Sequence, residues 1–208
     1  YPWGMVSFSI GLWAGGKVTP NQMRTRTVMG GTQIKGALRG ENNEKGLFNE
    51  RDNEHGEPGQ ILSCPCCNSV LSLSSGGLSG GKSIEVWITM KDDPGNLKVV
   101  SDRISSSPEV DDCDIVELRV LQDASFVIGI SLTPKRDITN KIFERIIFEG
   151  IGRLSLHCFS PSRPGYFDLE CESGRADYSI ICPNPNCELN IGVDWVDRTP
   201  SGSRVYPK

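Results

Sequence analysis

Apolar and polar residues alternate along several stretches of this chain, and the period changes once. Residues 84–90 (Ile84-Glu85-Val86-Trp87-Ile88-Thr89-Met90) place Ile84, Val86, Ile88 and Met90 on one face, the period of two expected of a strand. The turn formers Asp92-Asp93-Pro94-Gly95-Asn96 follow, so residues 97–100 are expected to return as the hairpin partner. A polar, acidic loop at 105–114, carrying Glu109, Asp111, Asp112 and Asp114, precedes a second expected hairpin. Its strands are 115–121 and 125–132, joined by Gln122-Asp123-Ala124. The period then shifts. Ile138, Ile142 and Ile146, with Phe143 and Ile147, form a stripe at spacings of three and four, the mark of a helix capped by Asp137 and ending at Gly150.

Shorter strands are expected at 5–13, 154–159, 167–171, 178–182 and 191–196. Residues 21–29 read as a short helix or irregular segment, followed by a mobile linker to about 59. The pattern predicts an α+β fold, mostly antiparallel sheet with one main helix. It divides the chain into an N-terminal strand and basic linker (1–60), an α+β domain (61–196) and a tail (197–208), with no internal repeat.

Composition narrows the function classes. The 208 residues carry 22 Lys and Arg against 26 Asp and Glu, a net charge of −4. A domain that binds nucleic acid unaided usually has a basic surplus, so any such contact here must be local. Arg24, Arg26, Lys35 and Arg39 make the N-terminal linker the most basic part, with solvated loop and phosphate-contacting arm as its two readings. No apolar run reaches membrane-span length, so no membrane partner is expected. The chain opens on Tyr1-Pro2 rather than methionine, which reads as a piece of a longer polypeptide or a trimmed tag.

The eight cysteines carry the strongest chemical signal. Cys64 and Cys67 form a C-x-x-C within Cys64-Pro65-Cys66-Cys67, and Cys182 and Cys187 form a C-x4-C within Cys182-Pro183-Asn184-Pro185-Asn186-Cys187. Proline and asparagine hold tight loops and leave backbone N–H groups free to face sulfur. Two such knuckles supply four thiolates for a closed, zinc-ribbon-like structural Zn2+ site. Closing a loop of about 120 residues costs roughly 4 kcal/mol, whereas a structural zinc contributes about 10–16 kcal/mol. Disulfides of a secreted protein, a thioredoxin-like redox pair and unrelated buried thiols are the competing readings. Cys66 is taken as a spectator, and Cys113, Cys158 and Cys171 as ordinary thiols. His55 is a reserve ligand; His157 and Cys158 are strand neighbours that point to opposite faces and form no dyad.

Gly76-Gly77-Leu78-Ser79-Gly80-Gly81-Lys82-Ser83 satisfies the phosphate-loop pattern G-x-x-x-x-G-K-[ST], with Gly81, Lys82 and Ser83 as its working residues. That motif needs a helix after it, and a strand is expected instead. A flexible Ser/Gly loop is therefore the main reading, and independent nucleotide binding or hydrolysis the alternative.

Three groups of residues together resemble the superfamily 2 helicases of the DISARM phage-defence type and related bacterial helicase-like proteins. They are Ser9-Ile10-Gly11-Leu12-Trp13-Ala14-Gly15-Gly16 with Thr19-Pro20-Asn21, then Leu62-Ser63-Cys64-Pro65-Cys66-Cys67, then the knuckle 182–187. The resemblance covers the ends of the chain and both knuckles, about a third of the whole, and residues 68–180 lie outside it. It implies a zinc-bearing insertion (Cys64, Cys67, Cys182, Cys187) within or beside the first motor domain of a cytoplasmic, ATP-dependent enzyme. The implied partners are the rest of the helicase polypeptide, DNA and another defence-system protein. An Asp-Glu-x-His box and an arginine-finger segment are missing here. The resemblance therefore implies a piece that hydrolyses nothing itself and guides DNA or docks a partner.

Overall fold

The computed structural model describes residues 25–36, 46, 61–74, 76–121, 125–152, 160–168 and 178–190. The chain divides into two compact units, Tyr1–Pro58 and Gly59–Lys208.

In the first unit, residues 25–36 form a hairpin. Strand β1 (Arg26–Thr27) pairs antiparallel with β2 (Gln33–Ile34), Arg26 opposite Ile34. Gly30 and Gly31 both take positive φ, which turns the chain back on itself, and Val28 closes the loop with hydrogen bonds to Gly31 and Thr32. The Thr25 hydroxyl accepts from the Gly36 amide at 3.0 Å and ties the base. The expected helix or irregular segment at 21–29, and linker beyond it, are thus replaced over 25–36 by a strand pair. Two adjacent glycines favour a hairpin turn and disfavour a helix. The expected strand at 5–13 lies outside the described residues.

The second unit is built on three antiparallel strands, β3 (Ile84–Met90), β4 (Val110–Val120) and β5 (Phe126–Pro134), in the order β3-β5-β4. Two helices accompany them, α1 (Leu97–Ser105) and α2 (Asn140–Ile151). The α+β class and the antiparallel sheet agree with the sequence pattern; the count of one main helix does not. Residues 97–100 are the first turn of α1 rather than a returning strand. Asn96 explains the difference: its side-chain oxygen accepts from the Lys98 and Val99 amides, an N-cap, while Asp93 accepts from Gly95 to hold the approach. Val100 and Ile104, four apart, then fall on one buried face. With that segment helical, β3 takes β5 as its neighbour, with Val86 opposite Ile130 and Ile88 opposite Ile128.

Strand β4 begins at Val110, inside the expected acidic loop. The pairing with β5 shifts between Val110 and Asp112 and again between Ile115 and Glu117. In an unbroken strand Val110 and Cys113 would face opposite ways. The bulge lets both enter the core while Asp111, Asp112 and Asp114 stay exposed.

Helix α2 is capped by Thr139, whose hydroxyl accepts from Ile142, not by Asp137. It runs one residue past Gly150, and Gly152 at φ +92° closes it. Gly150 meets Ile104 of α1, where an added Cβ would lie 2.2 Å from Ile104 Cγ1. The core joins Val86, Ile88, Met90, Ile128, Ile130 and Leu132 of the sheet to Val100, Ile104, Phe143, Ile146 and Ile147 of the helices. Two further strands, β6 (Tyr166–Asp168) and β7 (Tyr178–Ile180), pair antiparallel and lead into the second knuckle. They are shorter over the described residues than the expected 167–171 and 178–182; 154–159 and 191–196 lie outside them. Among the described residues no helix is long and apolar enough to cross a membrane.

Glu109 joins α2 to the start of β4. It is buried, accepts from the Ser107 hydroxyl at 2.7 Å and pairs with Arg145 at 3.0 Å. The Ser107 hydrogen bond and the Arg145 charge, outweighing burial, hold its carboxyl below the usual range. A lowered carboxylate pKa stabilises the fold above about pH 4.3, its unfolded value, and that stability is lost as pH falls through the folded one. Glu109→Gln is therefore expected to lower stability at neutral pH and to flatten its decline on acidification. Denaturant titrations at a series of pH values measure both.

Candidate metal centre

The first knuckle is a closed loop hung from one bridge. Ser63 pairs with Val70, the Cys64 amide donates to Ser69 O at 2.8 Å, and the Asn68 amide donates to Cys64 O at 2.8 Å. Such a loop needs one residue at positive φ, and Asn68 supplies it at +62°. The second knuckle is wound on its own asparagines. Asn184 accepts from the Asn186 amide through its side chain and from the Cys187 amide through its carbonyl. Asn190 reaches back to Cys182 O at 2.9 Å.

Gly165 brings the two arms together. Its amide donates to Leu71 O at 3.0 Å, beside the first knuckle, and its carbonyl accepts from the Ile181 amide at 2.8 Å, beside the second. An added Cβ would lie 2.5 Å from Leu71 Cδ2 and 2.9 Å from Leu71 Cα, so the approach requires glycine. The Leu73 amide donates to Ser162 O, and the Tyr166 hydroxyl accepts from the Ile61 amide at 3.2 Å. On the sheet side, Arg119 donates to Asn186 at 2.9 Å, and Asn186 in turn reaches Glu117.

These ties place Cys64, Cys67, Cys182 and Cys187 in one cluster, their sulfurs all within 4.8 Å of one another. Cys64 Sγ lies 3.7 Å from Cys187 Sγ, and Cys67 Sγ lies 3.4 Å from Cys182 Sγ. All four are free cysteines. Metal–sulfur bonds of 2.3 Å in a tetrahedron set sulfur–sulfur edges of about 3.8 Å, so the quartet fits a metal ion.

Polar groups surround the sulfurs. The Leu189 amide donates to Cys187 Sγ at 3.4 Å, Ser69 Oγ lies 3.2 Å from Cys67 Sγ, and Asn184 Nδ2 lies 3.8 Å from it. Burial pushes the Cys182 thiol up strongly and Cys187 up to about 12. Burial also raises Cys67, but hydrogen bonding with Ser69 and the neighbouring thiols outweighs it and draws Cys67 down to about 6. A cation binding here displaces the remaining protons, so its affinity rises with pH.

The spectator residues are also placed. Cys66 is exposed. Cys113 is buried in the core, where burial, helped by Asp114 and Asp112, pushes its thiol up to about 11. Of the basic residues, Arg26 is exposed on β1 and Lys35 is half-buried beside β2; Arg24 and Arg39 lie outside the described residues, as do His55, His157, Cys158 and Cys171.

The glycine-rich segment is no free loop. The Gly77 amide donates to Ser74 O, Leu78 to Ile138 O, Gly80 to the Asp137 carboxylate and Gly81 to Pro134 O. Asp137, expected to cap α2, is engaged here instead. Four amides that a phosphate cradle would need are committed to the chain itself, and strand β3 follows where a helix is required. Lys82 and Ser83 are exposed, and the Ser83 hydroxyl meets Ser131 at 3.1 Å. Lys82→Ala is expected to leave the melting temperature unchanged with or without ATP; an ATP-dependent shift lost in the variant would restore the nucleotide reading.

Gly165, Asn68, Asn190 and the Arg119–Glu117 pair were not singled out from the sequence. Asn68, directly after the C-x-x-C, carried the one available signal, an asparagine where a tight loop needs positive φ. Comparisons of the chain with protein-family models, with curated proteins and with solved structures each find no match.

Proposed function

We propose that the chain is a non-catalytic module clamped by one structural Zn2+ on Cys64, Cys67, Cys182 and Cys187. The sulfur quartet carries this reading. Four sulfurs in a tetrahedron select zinc or an iron–sulfur centre, and four protein ligands leave a zinc no open position for substrate.

The wider role is an insertion domain of a DNA helicase-like ATPase, one that guides DNA or docks a partner protein of the same defence system. The resemblance at residues 9–16, 19–21, 62–67 and 182–187 supports it, together with the basic residues around the hairpin of the first unit. Elemental analysis of the purified chain tests the metal: one zinc per chain is expected, and iron or no metal refutes it. Salt-dependent binding to duplex and single-stranded DNA tests the wider role. Replacing Arg24 and Arg26 by alanine is expected to weaken binding at low salt and to reduce the salt slope by about 1 per lost phosphate contact. Equal affinity and slope in wild type and variant remove these arginines from the DNA contact.

A further inference from the structure

We propose that the cysteine centre is also a peroxide-responsive clamp, in which Cys67 is oxidised first and Cys182 closes onto it as a disulfide that expels the metal. This rests on the zinc reading above.

Access singles out Cys67. Cys64, Cys182 and Cys187 are 3%, 4% and 7% exposed, whereas Cys67 is only half-buried and lies between exposed Cys66 and exposed Asn68. Oxidation of cysteine follows thiolate character and access, and a zinc-bound sulfur is a thiolate. Proximity singles out Cys182. Its sulfur is 3.4 Å from Cys67, on a segment held by the Ile181–Gly165 hydrogen bond.

The chemistry balances in two steps. The Cys67 thiolate attacks hydrogen peroxide, the O–O bond breaks, and sulfenic acid and hydroxide form. The Cys182 thiolate then attacks the Cys67 sulfur, the S–S bond forms, the S–O bond breaks and a second hydroxide leaves. Two electrons pass from the two sulfurs to the peroxide. Only Cys64 and Cys187 remain as ligands, and a two-sulfur site does not hold the ion.

The new bond joins the same two knuckles that the zinc joined. Oxidation therefore exchanges a metal clamp for a covalent one, and the domain stays shut without its ion.

The test uses the full zinc-loaded chain and its Cys66→Ser variant, with metal per chain measured beforehand. Hydrogen peroxide is added with a zinc indicator present, disulfides are mapped by mass spectrometry, and circular dichroism follows the fold after addition of EDTA. The expected result is zinc release in both proteins at the same rate and a Cys67–Cys182 disulfide. Oxidised protein keeps its fold in EDTA, reduced protein loses it, and thiol reductant with zinc restores the starting state. A Cys64–Cys67 or Cys66-linked disulfide, release abolished by Cys66→Ser, or release without a disulfide overturns this proposal alone. A chain that carries no zinc before oxidation overturns the metal reading and this one with it.

Discussion

Removal of zinc by a chelator is expected to unfold the described part of the second unit in one cooperative transition. The sulfur quartet joins segments 115 and 123 residues apart, and among the described residues the rest of that junction is a few hydrogen bonds: the backbone ladder around Gly165 and Leu71, Asn184 to Ser69 at 3.1 Å, and Ile61 to the Tyr166 hydroxyl. A structural zinc contributes about 10–16 kcal/mol of apparent binding free energy, against about 5–15 kcal/mol for the stability of a whole domain. Once the ion leaves, nothing of comparable size holds the knuckles. In the folded chain burial also disfavours bare thiolates at Cys182 and Cys187, so the folded site is poorly suited to these sulfurs without a cation. Cys182→Ala should reproduce the effect without chelator, as loss of bound zinc and of the far-ultraviolet signal of a folded sheet. Retention of both would show that the three-strand core stands without the clamp.

Gly165→Ala is expected to weaken zinc retention although no ligand is touched. The added methyl would lie within 2.9 Å of three Leu71 atoms, one of them backbone, so the Leu71–Gly165–Ile181 ladder must spread. Overpacking of this kind costs about 1–3 kcal/mol, which corresponds to a roughly 5- to 150-fold loss of zinc affinity if it falls on the knuckle junction. Competition with a chromophoric chelator measures the change. Leu71→Ala in the same chain opens space at the contact and should restore part of the lost affinity. No change in affinity for Gly165→Ala would mean that the two arms are held together elsewhere.

The sequence revealed which cysteines cluster because cysteine spacing is a local signal. Each knuckle is legible within four to six residues, and the structure brings the same four sulfurs together. Strands β3, β4 and β5 and helix α2 were legible for the same reason, since each carries its own period. Helix α1 was misread because Asp93-Pro94-Gly95-Asn96 serves equally as a turn and as a capped approach to a helix, and Leu97-Lys98-Val99-Val100 is too short to show a period. Reading on to Ile104 would have exposed the spacing of four. The extra residues of β4 were hidden by Asp111, Asp112 and Asp114, which tilt local composition toward loop, while the bulge breaks the alternation that would mark Val110 and Cys113 as inward. What holds the knuckles together was not legible at all. Gly165 contacts segments on both sides of it through backbone atoms, and Arg119 meets Asn186 across 67 residues. Neither relation leaves a pattern along the chain.

The distance between the two cysteine pairs also sets a clock on biosynthesis. Ribosomes add about 5–20 residues per second, so the first pair emerges roughly 6–25 s before the second. Throughout that interval Cys64 and Cys67 are exposed thiols on an unfinished polypeptide, open to wrong partners, while β4 and β5 can already pair because they are adjacent in the chain. Completion waits on the second pair, and a messenger truncated before Cys187 yields a product that cannot lock.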